Sequence, residues 1–484
     1  FLALAINLIG QVLIVRYLVK AEYGAFAYGL GVASIGSTAV LLGLDKATAR
    51  FVPIYQERGE PRRAVGTILL AVGLVTGAGL ALVALFWGLR GVLTGTVISD
   101  PLAVSLLLIL IALAPIDALD ALLQGLLAIF VGPRAIFVRR HLVGPGMKLA
   151  AILLVMATSG SAHLLAWGYV AGGALGLATY VVVLGSAWHR QGFLRDAWPA
   201  RTDVPAREVL GYSMPLLSSE AVLVLRGAFA VVLLELLQST SAVAEYRAVL
   251  PFARLNVFVL ESFHLLFIPV AARMFARRDR AGLNNLYWQT ALWISIFSFP
   301  VFAVMFALAR PVTLLLFGPE YAGSAPVLAV LAIGFYFHAA LGLNQLMLRV
   351  AGQVRDLVAI DLISVAVGLA LHFLLIPRLG ALGAAIGTTA IFVVNKLLCH
   401  LALVRRDSGV LPLPRVYLRL YLRLAALGLV MLIAQSLLDP PIYVGLAAAA
   451  VASLVMMRSS RHLIRIEETF PELLRVPALK WLLR

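Results

Sequence analysis

Runs of about twenty consecutive apolar residues recur from one end of this 484-residue chain to the other. That recurrence constrains the fold more than any motif. A helix rises ~1.5 Å per residue, so roughly twenty residues cross a ~30 Å hydrocarbon layer. Inside lipid, only helices and closed barrels satisfy every backbone N–H and C=O. A barrel needs alternating polar positions, and these runs do not alternate. Composition agrees: 62% of residues are hydrophobic and 13% charged, against about 45–50% and 25% in soluble domains. The fold class that follows is an all-α polytopic membrane protein.

The runs predict fourteen transmembrane helices: 1–18, 24–45, 64–87, 102–123, 135–158, 161–186, 209–238, 242–270, 286–309, 325–348, 355–376, 381–404, 417–438 and 440–457. Basic residues set the orientation. One set of connections and the tail carry 28 Lys and Arg, among them Arg50, Arg139, Arg140, Arg273 and Arg405; the alternating set carries five, Lys20, Arg90, Arg247, Arg310 and Arg378. Both termini are therefore expected in the cytoplasm, with the chain in the plasma (inner) membrane. The turn Gly318–Ser324, in "LLLFGPEYAGSAPVLAVLAIG", then faces outward. The same asymmetry accounts for most of the +16 net charge, which lies between apolar runs and not on one face, so no nucleic acid is expected as a partner. The single cysteine, Cys399, permits no intramolecular disulfide and no Cys-based metal cluster. The chain opens at Phe1 inside an apolar run, so a start further upstream is expected.

Short motifs repeat at a near-constant offset. "AEYGAF" at 21–26 returns as "AEYRAV" at 244–249, "ATARFV" at 47–52 meets "VAARMF" at 270–275, and Gly160 meets Gly380. The repeat predicts two parallel six-helix lobes, 1–186 and 207–404, followed by two additional helices at 417–457 and a cytoplasmic tail at 458–484. Such halves usually enclose a transport site; the alternative is a shared packing grammar with no site between them.

With 33 of the 39 basic residues counted to the connections and tail, six remain: Arg16, Lys148, Arg226, Arg254, Lys396 and Arg423. A basic group at mid-bilayer costs about 2.5–3.5 kcal/mol unless it faces water or a partner. Arg16, Lys396 and Arg423 lie near span ends, where a long side chain can reach the interface. Lys148, Arg226 and Arg254 do not. Glu220, Glu261, Asp117, Asp120 and Asp361 are the acidic candidates for pairing, and Glu261 follows Arg254 by two helical turns. One alternative is a set of buried structural pairs. The other is an electropositive cavity that holds an anion such as phosphate, a task that suits the planar guanidinium. His264, His338 and His372 are read as core residues, and Gly168, Gly172 and Gly176 as a ladder for close helix packing. The basic, apolar tail suits either the inner leaflet surface or water.

"LLLFGPEYAGSAPVLAVLAIG", "AEYGAFAYGLGVASIGSTAVLLGLDKATARFVP" and "RLGALGAAIGTTAIFVVNK" resemble segments of bacterial polysaccharide flippases of the O-antigen type. These belong with the multidrug, oligosaccharidyl-lipid and polysaccharide exporters. The resemblance covers most of 1–404 and implies two six-helix lobes around a V-shaped cavity, alternating access, and a polyprenyl-pyrophosphate oligosaccharide as cargo passed from inner to outer leaflet. It implies membrane lipid, a polysaccharide polymerase and glycosyltransferases as partners, and Na⁺ or H⁺ as candidate coupling ions. Carried onto this chain, it puts Arg226, Arg254, Arg16 and Arg50 at the pyrophosphate, with Lys148 and Glu261 as further charged groups and Ser218, Ser219 and Asn256 facing sugar hydroxyls. Many relatives carry an acid near the middle of span seven, where this chain has Arg226-Gly227-Ala228, which counts against cation coupling there.

Three alternatives stand beside this expectation. A drug antiporter would need a first-lobe carboxylate that binds Na⁺ or H⁺; span one has none, and Asp117 and Asp120 of span four are the only first-lobe candidates well inside a span; a lipid II flippase differs in its cargo. A membrane glycosyltransferase or polymerase would need carboxylates or a metal in a sizeable outward loop, yet the longest, near 88–101, holds only Asp100. Phosphate-loop, His-Glu-x-x-His and Gly-x-Ser-x-Gly motifs are missing, so no cofactor and no direct ATP use are expected.

Overall fold

Most of the apolar runs are helices, and the breaks between them are where the structure departs from a simple bundle. The computed structural model describes residues 2–94, 98, 100–191, 203–214, 227–405, 412–460 and 463. All regular elements among these are helical. Contacts divide the chain into two units, Phe1–Arg247 and Ala248–Arg484.

The first unit contains α1 (Leu2–Tyr17), α2 (Lys20–Leu41), α3 (Leu44–Glu57), α4 (Pro61–Gly88), α5 (Pro101–Leu110), α6 (Leu113–Phe130), α7 (Gly144–Ala157), α8 (Ala162–Arg190), α9 (Phe229–Leu237) and the start of α10 (Thr240–Ala253). Local chemistry sets the ends. Leu42 and Gly43 take left-handed conformations (φ 53° and 67°) and stop α2. Asp100 caps α5 by accepting from the Leu102 N–H at 2.9 Å, ahead of Pro101 in the first turn. Leu122, Leu126 and Leu127 of α6 are fully buried, packing with Val52, Tyr55 and Tyr180 on one side and with Val40, Leu44 and Val75 on the other. Residues beside the first copy of the repeated motif meet the second copy here. Lys20 Nζ bonds Glu245 Oε1 at 2.7 Å, Gln11 donates to Tyr23 Oη at 2.6 Å, and a Cβ at Gly24 would overlap the Thr240 carbonyl.

The second unit continues from α10 through α11 (Leu255–Ala276), α12 (Arg280–Ala307), α13 (Ala309–Phe317), α14 (Ser324–Ala340), α15 (Asn344–Val350), α16 (Val354–Leu379), α17 (Ala381–Arg405), α18 (Arg415–Leu438) and α19 (Ile442–Ser459). Asp279 caps α12 through the Gly282 N–H at 2.8 Å. α12 is the centre of this unit: Tyr287, Trp288, Trp293 and Phe299 are almost wholly enclosed, and α14, α18 and α19 pack around it. Outward faces remain greasy, with Val182 70% and Leu437 77% exposed. In water such surfaces are liabilities; against acyl chains they are what the bilayer requires.

Eleven helical segments are long and apolar enough to span, or twelve if the bent pair Leu255–His264 and Phe267–Ala276 is one span. The fourteen predicted spans are thus not all reached among the described residues: α1 has only 16 residues, and span seven runs partly through residues outside the description. Span eight, predicted as one helix, is two. Arg254 sits at the junction of α10 and α11, where the Val257 N–H bonds the Arg254 carbonyl three residues back at 2.9 Å, and Pro251 supplies no N–H to the turn before it. The predicted turn at 318–324 is present, with Gly318 at φ 89° and a short 3₁₀ turn Pro319–Tyr321, but α13 intervenes between it and α12.

Candidate functional site

Five charged residues of the first unit, Asp117, Asp120, Arg139, Arg140 and Lys148, line one cavity. In α6, Asp117, Asp120 and Gln124 recur at three- and four-residue spacing and so form one polar stripe, opposite the buried leucines. The stripe faces α7 and α8. The helix Pro133–Val138 runs into α7 through a π-helical segment, Arg139–Val143, the kind of wide turn that often marks functional sites. Its first residue sends Arg139 inward. The guanidinium Nη2 lies 3.2 Å from Asp120 Oδ1 and 5.5 Å from the Tyr180 ring centre. Two glycines make the room: a Cβ at Gly176 would overlap Arg139 Nη2, and one at Gly144 would stand 2.8 Å from Nη1. The predicted glycine ladder does pack helices, with Gly168 against Ala151 and Gly172 against Met147; its third rung admits an arginine.

Around this pair lies a cavity of about 480 Å³, lined by Asn7, Asp117, Gln124, Arg140, Lys148 and Tyr169 among others. Lys148 Nζ is 5.9 Å from the Tyr169 ring centre, and Tyr169 is itself held edge-on by Phe26 at 5.1 Å. Two carboxylates thus face three cations in an otherwise greasy bundle, where charges interact more strongly than in water. Such a wall can hold a ligand carrying anionic and hydroxyl groups together.

Of the basic residues singled out by sequence, Lys148 lines this cavity, whereas Arg16 and Arg50 stand outside it. Arg16 closes the last turn of α1. Arg50, exposed on α3, stacks over Tyr212 at 4.5 Å. Arg226, Glu220, Ser218 and Ser219 lie outside the described residues. In the second unit Arg254 and Glu261 are both exposed, and among the described residues no ion pair joins them. Glu261 lines a smaller cavity of about 110 Å³ with His264, His338, Gln345 and Lys396. Asn256 is fully buried; its amide donates to the Ala253 carbonyl at 3.2 Å, while Oδ1 has no partner among the described residues. His372 is a buried core residue with Nε2 3.1 Å from the Ala384 carbonyl, while its Nδ1 has no partner among the described residues.

Two sequence assignments need correction. Arg139 and Arg140, counted with the cytoplasmic connections, belong to the span Ile136–Ala157; the chain reverses earlier, at Gly132-Pro133. Lys396, expected to reach the interface, is 2% exposed because donors and acceptors inside the unit hold it. A third polar cluster was not anticipated: Asp361 Oδ1 accepts from Asn395 Nδ2 at 2.7 Å and from Gln345 Nε2 at 3.3 Å. The spacing of Asp117, Asp120 and Gln124 was the one signal that could have located the main cavity.

The sequence model of the polysaccharide biosynthesis protein family matches residues 2–275. This chain belongs to that family. An uncharacterised membrane protein of Methanocaldococcus jannaschii is 24% identical over 204 residues, covering 40% of this chain and 40% of that protein; the chain thus matches about two fifths of that curated relative's length. Among solved structures, the lipid II flippase MurJ in an inward closed conformation shares 15% identity over 96% of this chain and 98% of its own, with a TM-score of 0.71. An inward-facing multidrug resistance MATE transporter of the MOP superfamily shares 15% identity over 84% and 95%, with a TM-score of 0.64. These likenesses establish the fold, that of a multi-pass membrane protein of the MurJ and MATE type.

Proposed function

We propose that this family member is a flippase that carries a polyprenyl-pyrophosphate-linked oligosaccharide from the inner to the outer leaflet of the plasma membrane by alternating access, for cell-surface polysaccharide synthesis. The observation that carries the proposal is the charged cavity of the first unit. Apolar helices that only anchored a protein would have no use for Asp117, Asp120, Arg139, Arg140 and Lys148 around one space of about 480 Å³. The cavity chemistry suits a lipid-linked sugar, with ammonium and guanidinium groups for phosphate oxygens and Asp117, Asn7 and Gln124 for hydroxyls. In this proposal Arg226, Arg254, Arg16 and Arg50 contribute positive charge along the same path, two homologous six-helix halves rock about it, and both termini lie in the cytoplasm. Glycosyltransferases supply the cargo, a polymerase consumes it, and a Na⁺ or H⁺ gradient or cargo flux drives the cycle.

The test is surface glycan display, normalised to membrane protein level. Lys148→Ala and the double variant Arg226→Ala, Arg254→Ala should each keep protein near normal and lower display at least tenfold. Full display in both would sink the proposal. A second cargo is favoured by one observation: the likeness to a lipid II flippase extends over 96% of this chain. Rescue of cells depleted of their own lipid II flippase, without any effect on surface glycan, would select that cargo.

A further inference from the structure

In the second unit the spanning segment Ser324–Val350 is interrupted about two thirds of the way along. α14 ends at Ala340, the chain turns through Leu341, Gly342 and Leu343, and α15 starts at Asn344. Gly342 adopts φ 67°, and a Cβ there would stand 2.9 Å from the Ala291 Cβ, so glycine is required on both counts. A helix end leaves its last carbonyls without helical donors. Side chains from other helices serve them. Ala340 O accepts from Ser295 Oγ at 3.0 Å and Tyr421 Oη at 2.7 Å. Leu341 O accepts from Tyr287 Oη at 3.0 Å. Gly342 O accepts from Lys396 Nζ at 2.7 Å.

The last donor differs from the others because it carries a full charge. Lys396 Nζ also bonds Asn344 Oδ1 at 3.1 Å, and Asn344 Nδ2 returns a bond to the Lys396 carbonyl at 2.9 Å. The ammonium is thus enclosed at the negative end of the α14 dipole, held by a backbone carbonyl and an amide oxygen. Hard oxygens at an unwound half-helix C-terminus are the groups that bind alkali-metal ions in transporters. The ~110 Å³ cavity beside it, lined by Lys396 itself and by Glu261, Gln345 and His338, offers room for an ion and a carboxylate to draw it in.

We propose that Lys396 is a tethered cation filling a latent alkali-metal site at this helix break, so that the second unit holds its broken span together without a bound ion, and that removal of the side chain turns the break into a Na⁺ or K⁺ site. The inference concerns how the unit is held together and stands independently of the cargo.

The experiment uses the purified full-length protein in detergent, with thermal unfolding followed in NaCl, KCl and choline chloride at equal ionic strength. At this break the wild type should gain nothing from Na⁺ or K⁺, so any stabilisation those salts give it over choline should persist in Asn344→Ala. Lys396→Ala should melt lower in choline and recover by about 5 °C in Na⁺ or K⁺, saturating with concentration as a ligand does. Lys396→Met, which refills the space without charge, should not recover. Lys396→Gln retains a donor without a charge and should stay destabilised in choline. The proposal is overturned if Lys396→Ala melts identically in every salt, if Lys396→Gln matches the wild type in choline, or if Na⁺ stabilises the wild type in a manner that Asn344→Ala abolishes. Failure of Lys396→Ala to fold in K⁺-rich cells counts against it equally.

Discussion

Arg139 shows how much one side chain asks of its surroundings. It needs Asp120 as a counter-ion, the Tyr180 ring as a platform, a π-turn to aim it, and the missing Cβ atoms of Gly144 and Gly176. The side chains of the pair are only 13% and 27% exposed, so removing one partner strands a charge. Arg139→Ala should cost about 3 kcal/mol of stability, and Asp120→Asn in the same chain should return most of it, because the pair then vanishes together. Thermal unfolding of the two single variants and the double variant measures this; additive losses would show that the pair is not coupled. The acidic half of the site was legible in the Asp117, Asp120, Gln124 stripe. Its basic half was not. The predicted span 135–158 already contains Arg139 and Arg140, but a basic doublet in the first turns of a span reads as a cytoplasmic anchor, and nothing in "PRAIFVRRHLVG" announces the π-turn that aims Arg139 inward.

At the scale of elements, the helices were legible and their interruptions were not. Twenty apolar residues specify a span whether or not it is broken, since hydropathy is blind to a single positive φ. Leu341-Gly342-Leu343 reads as one more apolar step, yet it ends α14. Substituting Gly342 should therefore act as a backbone lesion. Gly342→Ala combines φ 67° with a close approach to Ala291 and should destabilise by about 2 kcal/mol. Gly73, with open space around it and ordinary helical geometry inside α4, should gain a few tenths of a kcal/mol from the same change. Unfolding midpoints of the two variants provide the comparison, and equal effects would deny the break its special role.

For the whole molecule, topology is the property on which every transport scheme depends. α12 has 28 residues, about 42 Å of helix, so its flanking turns should lie on opposite sides of the bilayer. The Arg-rich turn before it should be cytoplasmic and the Gly318 turn beyond α13 external. Single cysteines at Arg277 and Ala322, both exposed, in a Cys399→Ala background, should be labelled from opposite sides by an impermeant thiol reagent. Labelling of both from one side would end this topology. Ser324 is unsuitable as a reporter because it is fully buried.

The polar edge of α12 carries a consequence for how the chain is made. Gln289 reaches the Leu463 carbonyl at 3.0 Å and Tyr417 Oη at 3.5 Å, and Ser295 meets Tyr421 at 3.4 Å. These partners lie more than a hundred residues downstream and leave the ribosome long after α12 does. The Ser295 hydroxyl can meanwhile bond the Ala291 carbonyl within α12 at 2.7 Å, but until α18 has been synthesised the Gln289 amide must wait in the membrane without these two partners, or remain sheltered by the insertion machinery. The two C-terminal helices, which look like an appendix to a twelve-helix plan, are on this account the late-arriving clasp that lets the second unit leave the translocon, and a nascent chain that stops before Tyr417 displays an open polar seam to the proteases that police membrane assembly.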